Sequence, residues 1–198
     1  MTDVIASRDR RSLTELTHAV FGEPLSMDEV FARVDRPDAP AVRPVVPALP
    51  SIWIGSIGYE RYPDQRDFLQ CLLRAGVGRL IDVRQLPMSR RRGYGKTALG
   101  DAMRAAEIEY VHMRPLGNPK AFRDLYKSGR VQEGRELYER HLLGEQLWAL
   151  HDLADLLADN KRSALMCVEH DPAVCHRTVI IDAMRDELDL KLEIAHLG

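Results

Sequence analysis

Ala164-Leu165-Met166-Cys167-Val168-Glu169-His170-Asp171-Pro172-Ala173-Val174-Cys175-His176-Arg177 is a short apolar run that ends in ionisable residues and passes straight into a helix start. Ala164 to Val168 reads as a buried strand. Asp171 then stands where an N-cap is expected, with Pro172 at the first helical position, which predicts a helix from about Ala173 to Leu188. One strand followed by one helix is the unit, and it recurs in both directions.

Downstream, Lys191 to Ala195 reads as a further strand. Upstream, Ile52 to Ile57 is followed by a helix that opens near Pro63 and stops at Gly76, and the run Arg79 to Val83 precedes a helix from Ala98 to Ala106. Ile108 to His112 gives a third strand before a helical stretch, Phe122 to Asn160, of two or more helices. Strands that alternate with helices predict right-handed crossovers. The fold class is therefore α/β, with a mainly parallel sheet of about five strands and helices on both faces. The order of the strands is not fixed by the sequence.

Ahead of this pattern, Leu13, Leu16, Val20 and Phe21 fall at helical spacing, and Ser26 with Glu29 forms a capping box. Prolines 37, 40, 44, 47 and 50 then favour extended chain. The expected organisation is a short helical N-terminal arm over 1–35, a proline-rich linker over 36–50 and an α/β domain over 51–198. Few contacts are expected to cross such a linker.

Composition narrows the function classes. The 198 residues are 45% hydrophobic and 29% charged, and no run approaches the roughly 20 apolar residues of a membrane span. No apolar run follows Arg8, Arg10 and Arg11 as in a signal peptide, and the three cysteines, Cys71, Cys167 and Cys175, make no disulfide framework. Both point to the cytoplasm. A net charge of −2 gives no global attraction to nucleic acid, so a polyanion would need a local basic patch. The stretch from Arg84 to Lys96 is such a patch, with five positive charges, no negative ones and Tyr94 between glycines. It reads either as a phosphate-holding loop whose Tyr94 stacks on a base, or as a solvated loop.

Ligands of open parallel sheets bind beyond the carboxyl ends of the strands. Those ends carry Tyr59, then Asp82 and Arg84, then His112, then Cys167 and Glu169. Alternation puts Asp82 with Arg84 on one face and Cys167 with Glu169 on one face, so each pair is placed to line one pocket. The bland alternative for the first pair is an ion pair. Cys175, His176 and Arg177 fall in the first turn of the last helix, where two cations oppose the helix dipole unless an anion compensates them. That anion is Glu169, Asp82 or a ligand. Cys175 is a candidate nucleophile or redox thiol there, or else packs as a small apolar residue.

Several mechanisms lack their motifs. Arg177 is misplaced for a cysteine phosphatase loop, and the glycine-rich nucleotide turns are missing. Cys167, Cys175, His176 and perhaps His112 match no standard zinc module in spacing, so no metal ligand is assigned and no cofactor is named.

Ile57-Gly58-Tyr59, Asp82-Val83-Arg84 with Pro87 and Ser89-Arg90, Gly93-Tyr94 with Lys96, Tyr110 with His112, Leu116-Gly117, Cys167 with Glu169, and Cys175-His176-Arg177 recur in order and spacing in one family. On these residues the stretch from about Ile52 to Leu197 resembles the family catalogued as domain of unknown function 488. Asn118 departs from it, standing where a second glycine is usual, as does Tyr94 where phenylalanine is often found. The resemblance implies an α/β fold and a shared polar site, and no activity.

Three functions compete. The first is an enzyme acting on a phosphate-bearing substrate, nucleic acid or nucleotide. In it Asp82, Cys167, Glu169, Cys175 and His176 are catalytic candidates, Arg84, Arg90, Lys96 and Arg177 bind the anion, and Tyr59, Ser89, Tyr94 and His112 contact the substrate. The second is a non-catalytic nucleic-acid-binding module, and the third is a thiol redox or metal-binding protein built on Cys167 and Cys175.

Overall fold

Alternating apolar strands and amphipathic helices do build a doubly covered parallel sheet. The computed structural model describes residues 51–198, so the arm and linker expected over 1–50 lie outside the described residues. The chain runs β1 (Ile52–Gly58), α1 (Gln65–Arg74), β2 (Arg79–Asp82), α2 (Lys96–Ala105), β3 (Glu109–His112), α3 (Lys120–Lys127), α4 (Val131–Glu145), α5 (Leu147–Leu157), β4 (Ser163–Cys167), α6 (His176–Asp186) and β5 (Leu192–His196). All four strand pairings are parallel, in the order β3-β2-β4-β1-β5. No helix among the described residues is long and apolar enough to cross a membrane.

Side-chain alternation divides the interior into two cores. On one face Ile57, Leu80, Ala164 and Met166 pack with Phe68 and Leu72 of α1 and with Leu99 and Met103 of α2. On the other, Ile54, Ile81, Val83, Leu165 and Cys167 pack with α4, α5 and α6. The helices that follow β2 and β4 thus lie on opposite faces although the two strands are neighbours. A crevice opens at their carboxyl ends for that reason, where the returning chains diverge.

Register decides which residues share that crevice. Asp82 is opposite Met166, not Cys167, so Asp82 belongs to the α1/α2 face while Cys167 and Val83 belong to the other. The last helix also begins later than its sequence suggests. Asp171 Oδ1 accepts from the Ala173 N–H at 2.9 Å and caps only the 3₁₀ turn Pro172–Val174. Cys175 then returns to extended backbone (φ −127°, ψ 141°) and occupies the N-cap position of α6, which leaves His176 and Arg177 as its first residues.

Two glycines hold the loops of the crevice by letting backbone approach backbone. A Cβ on Gly58 would run into the carbonyl of Glu169, and one on Gly117 into the backbone of Gln85. Gly58→Ala is expected to push the Glu169 loop aside and destabilise the fold by about 1–3 kcal/mol, the usual range for overpacking. Chemical denaturation checks it, and an unchanged midpoint would mean that the loop yields freely.

Among the described residues, both cores draw on residues 52–197. A chain beginning at Pro50 is therefore expected to stay soluble and melt in one cooperative transition. Loss of that transition in a calorimeter would put part of the core before Pro50.

Candidate metal centre

Four residues that the sequence scatters over ten positions meet at the end of β4. Cys167 Sγ lies 3.0 Å from Glu169 Oε2, and Cys175 Sγ lies 3.3 Å from the same oxygen. His176 Nδ1 is 3.8 Å from each sulfur, and the four donor atoms all fall within 4.8 Å of one another. Donors about 2.0–2.3 Å from a tetrahedral zinc ion stand about 3.3–3.8 Å apart, so these separations need to shift by up to about 1 Å to enclose one.

Each donor arrives by its own device. Cys167 ends a fully buried strand, and Glu169 follows two residues later on the same face. Cys175 is extended at the head of α6. His176 is oriented by its second nitrogen: Nε2 donates to the Val83 carbonyl at 3.0 Å, which leaves the Nδ1 lone pair toward the sulfurs. Metal-binding histidines are fixed in this way by a carbonyl or carboxylate on the other nitrogen. Tyr138 packs edge-on against the ring at 5.1 Å between centroids, and its hydroxyl donates to the Leu116 carbonyl at 2.7 Å.

Without a metal, protons hold the cluster together. Burial pushes the Cys175 thiol up, but its bond with Cys167 and the charges of Arg177 and His176 outweigh this and hold it well below the ordinary thiol range. Cys167 is held well above that range by its bond to the Cys175 sulfur and by burial. Burial alone would lower His176, yet the adjacent Cys175 thiolate raises it overall. Glu169 is raised chiefly by burial and next by the Cys175 charge. These directions favour charge on Cys175 and His176 and a proton on Cys167 in the metal-free site.

Arg177 is enclosed completely, with 0% of its surface exposed. One Nη2 donates to the Glu169 carbonyl at 2.6 Å, while Nε and Nη1 have no partner among the described residues. No carboxylate of Asp82 or Glu169 meets it, so two of the three compensating anions that the sequence allowed do not supply the contact. Its charge instead acts on the two thiols. Two thiolates and a carboxylate around a divalent ion would leave one net negative charge, which Arg177 would balance.

The remaining candidates sit elsewhere. Asp82 and Arg84 form a buried ion pair, with Arg84 Nη2 at 2.6 Å and Nε at 2.8 Å from the carboxylate, and Arg84 Nη1 donates to the Tyr94 carbonyl at 2.9 Å. Tyr110 donates to the same carboxylate at 2.6 Å. The ion-pair alternative holds here, and neither group is free for a ligand. Tyr94 is enclosed: its ring stacks on Tyr59 at 4.6 Å and its hydroxyl donates to the Tyr62 carbonyl at 2.9 Å. It has no face left for a base. Ser89 Oγ accepts from Tyr59 Oη at 3.3 Å, and His112 Nε2 donates to the Arg84 carbonyl at 2.8 Å. Both fasten the loop after β2. Arg91 pins that loop through the carbonyls of Tyr59, Glu60 and Tyr62. Arg90 and Lys96 are exposed and line no part of the crevice.

What lines it is a cavity of about 190 Å³ whose floor is Cys167, Glu169, Cys175 and His176. Its walls include Arg84, Asn118, Arg123, Tyr126 and Lys127, and of these only Arg84 is a sequence candidate. Tyr126 and its neighbours are on α3, whose amphipathic pattern marks an inward face without saying what it meets.

A family model described as "Domain of unknown function DUF488" matches residues 64–184, which include β2, β3, β4 and all four donors. No curated protein and no solved structure matches the chain.

Proposed function

The chain belongs to the DUF488 family, and we propose that its polar site is a mononuclear zinc centre serving a metal-dependent enzyme, with Cys167, Cys175 and His176 as ligands and Glu169 in the fourth position. The observation that carries this reading is the convergence of four donor atoms within 4.8 Å while His176 Nε2 is already engaged by a backbone carbonyl. Two thiols and an imidazole select zinc over the harder magnesium or calcium.

An open site, not a closed structural one, is supported by the cavity over the donors. Glu169 is the only donor residue that is not fully buried, and it sits on a loop. With zinc bound, it would be the donor residue best placed to act as a proton acceptor for a substrate. Bound zinc supplies Lewis acidity, polarising a substrate oxygen or acidifying a water.

A thiol-redox role would use the same two sulfurs but needs neither Glu169 nor the orientation of His176. Alkylation separates the two. In metal-free protein Cys175 is expected to react with iodoacetamide faster than Cys71, because its thiolate is favoured. Zinc is expected to suppress labelling of Cys167 and Cys175 and leave Cys71 unaffected, as peptide mass spectrometry would read. Labelling of the pair that ignores zinc would speak for the redox role.

A further inference from the structure

The cavity above the donors has walls of a definite chemical character. Arg123 and Lys127 stand one helical turn apart on α3 and both line it. Neither has an ion pair among the described residues, whereas Lys120 and Asp124 of the same helix pair with each other at 2.6 Å. Arg84, the other wall cation, already has its charge paired with Asp82. Two cations without an ion-pair partner among the described residues therefore stand at one side of the cavity.

Asn118 lines the same space with only 3% of its surface exposed, and its Oδ1 has no hydrogen-bond partner among the described residues. A buried acceptor without a donor is costly to a fold unless a ligand supplies one. Tyr126 Oη, at the same wall, is likewise buried and unpartnered. Burial pushes Tyr126 up to about 12, with Arg135 opposing and Cys175 and Glu169 adding. It stays protonated at neutral pH, so it is a donor for a ligand oxygen.

Taking its place beside the metal from the zinc reading but its contacts from separate residues, we infer that this cavity takes a small substrate bearing an oxyanion, a phosphate or a carboxylate. Arg123 and Lys127 bind the anion. Asn118 Oδ1 accepts an N–H or O–H of the substrate, and Tyr126 Oη donates to an oxygen on the side of the donor cluster. Leu86, Val168 and Val174 offer apolar wall to a short carbon skeleton. At about 190 Å³ the space falls below the roughly 300–1,000 Å³ of sites for drug-sized ligands, which favours a small metabolite over a nucleotide or a nucleic-acid chain.

Isothermal titration of the full, zinc-equilibrated chain tests this with inorganic phosphate, malonate and a single-stranded oligonucleotide, alongside a metal assay of the same samples. Saturable binding of phosphate or malonate is expected, and the better binder identifies which oxyanion the site prefers. The double variant Arg123→Ala/Lys127→Ala should weaken that binding about tenfold or more while its zinc content stays at the wild-type level. Asn118→Leu, which leaves both cations in place, should weaken malonamate, an anion that also carries an N–H donor, more than it weakens malonate. No saturable binding of either anion, equal binding by the double variant, or an oligonucleotide that outcompetes both would overturn the inference. Zinc content judges the metal reading separately: anion binding without zinc sinks that reading and leaves this one standing, and zinc without anion binding does the reverse.

Discussion

Asp82→Asn is expected to destabilise the protein by about 3–5 kcal/mol, because it removes one partner of a buried ion pair and leaves the Arg84 guanidinium charged and uncompensated. Arg84 is 4% exposed and Asp82 0%, so water cannot replace the lost carboxylate. The substitution also weakens the acceptor of the Tyr110 hydroxyl. Denaturant unfolding followed by circular dichroism measures the loss. A change below about 1 kcal/mol, the level typical of exposed pairs, would mean that the pair is open to solvent and that Asp82 is free to act on a ligand. Zinc content should survive the substitution wherever the fold does, since Asp82 lies on the opposite face of the sheet from the donors.

Cys175→Ser should have the largest effect on the metal. Changes to the groups that hold the ligands in place cost about 10- to 100-fold in affinity, and loss of a thiolate ligand should exceed that. Competition with a chromophoric chelator would report it. Val83 cannot be altered at its carbonyl, so the support of His176 is best probed at Tyr138→Phe, which keeps the ring on His176 but removes the bond to Leu116; it should fall within the smaller range. The sign of the pH dependence follows from the protons that zinc must displace. Cys167 and the raised His176 hold theirs in the metal-free site, so affinity should rise with pH and fall as the medium becomes acidic. A Cys175→Ser protein that held zinc as tightly as the wild type would remove Cys175 from the ligand set.

The sequence revealed the sheet because its strands are short, apolar and regularly separated by helices, a pattern that local chemistry imposes. The five strands lie where that pattern puts them, with shifts of a residue or so at their ends, and the stretch read as two or more helices holds α3, α4 and α5. The site was only half legible. Asp82 and Cys167 both mark the ends of strands, but whether they share a pocket depends on the register of β2 against β4, and a slip of one residue moves a side chain to the other face. No feature of either strand fixes that register by itself. The metal-ligand set was hidden for a related reason. Cys167 and Glu169 are on a strand and its exit while Cys175 and His176 cap a helix, so their spacing follows the β4-to-α6 crossover and not a compact zinc loop. Asn118, Arg123, Tyr126 and Lys127 belong to the cavity only because α3 folds back across the end of β4, a tertiary event that the helical pattern does not encode.

Zinc K-edge X-ray absorption on protein expressed in zinc-supplemented medium, with the metal counted on the same sample, tests the central claim most directly. The account predicts about one zinc ion per chain, with two sulfur scatterers near 2.3 Å and two nitrogen or oxygen scatterers at about 2.0–2.2 Å. A chain that carries no zinc after that preparation, or zinc bound without sulfur, would contradict it.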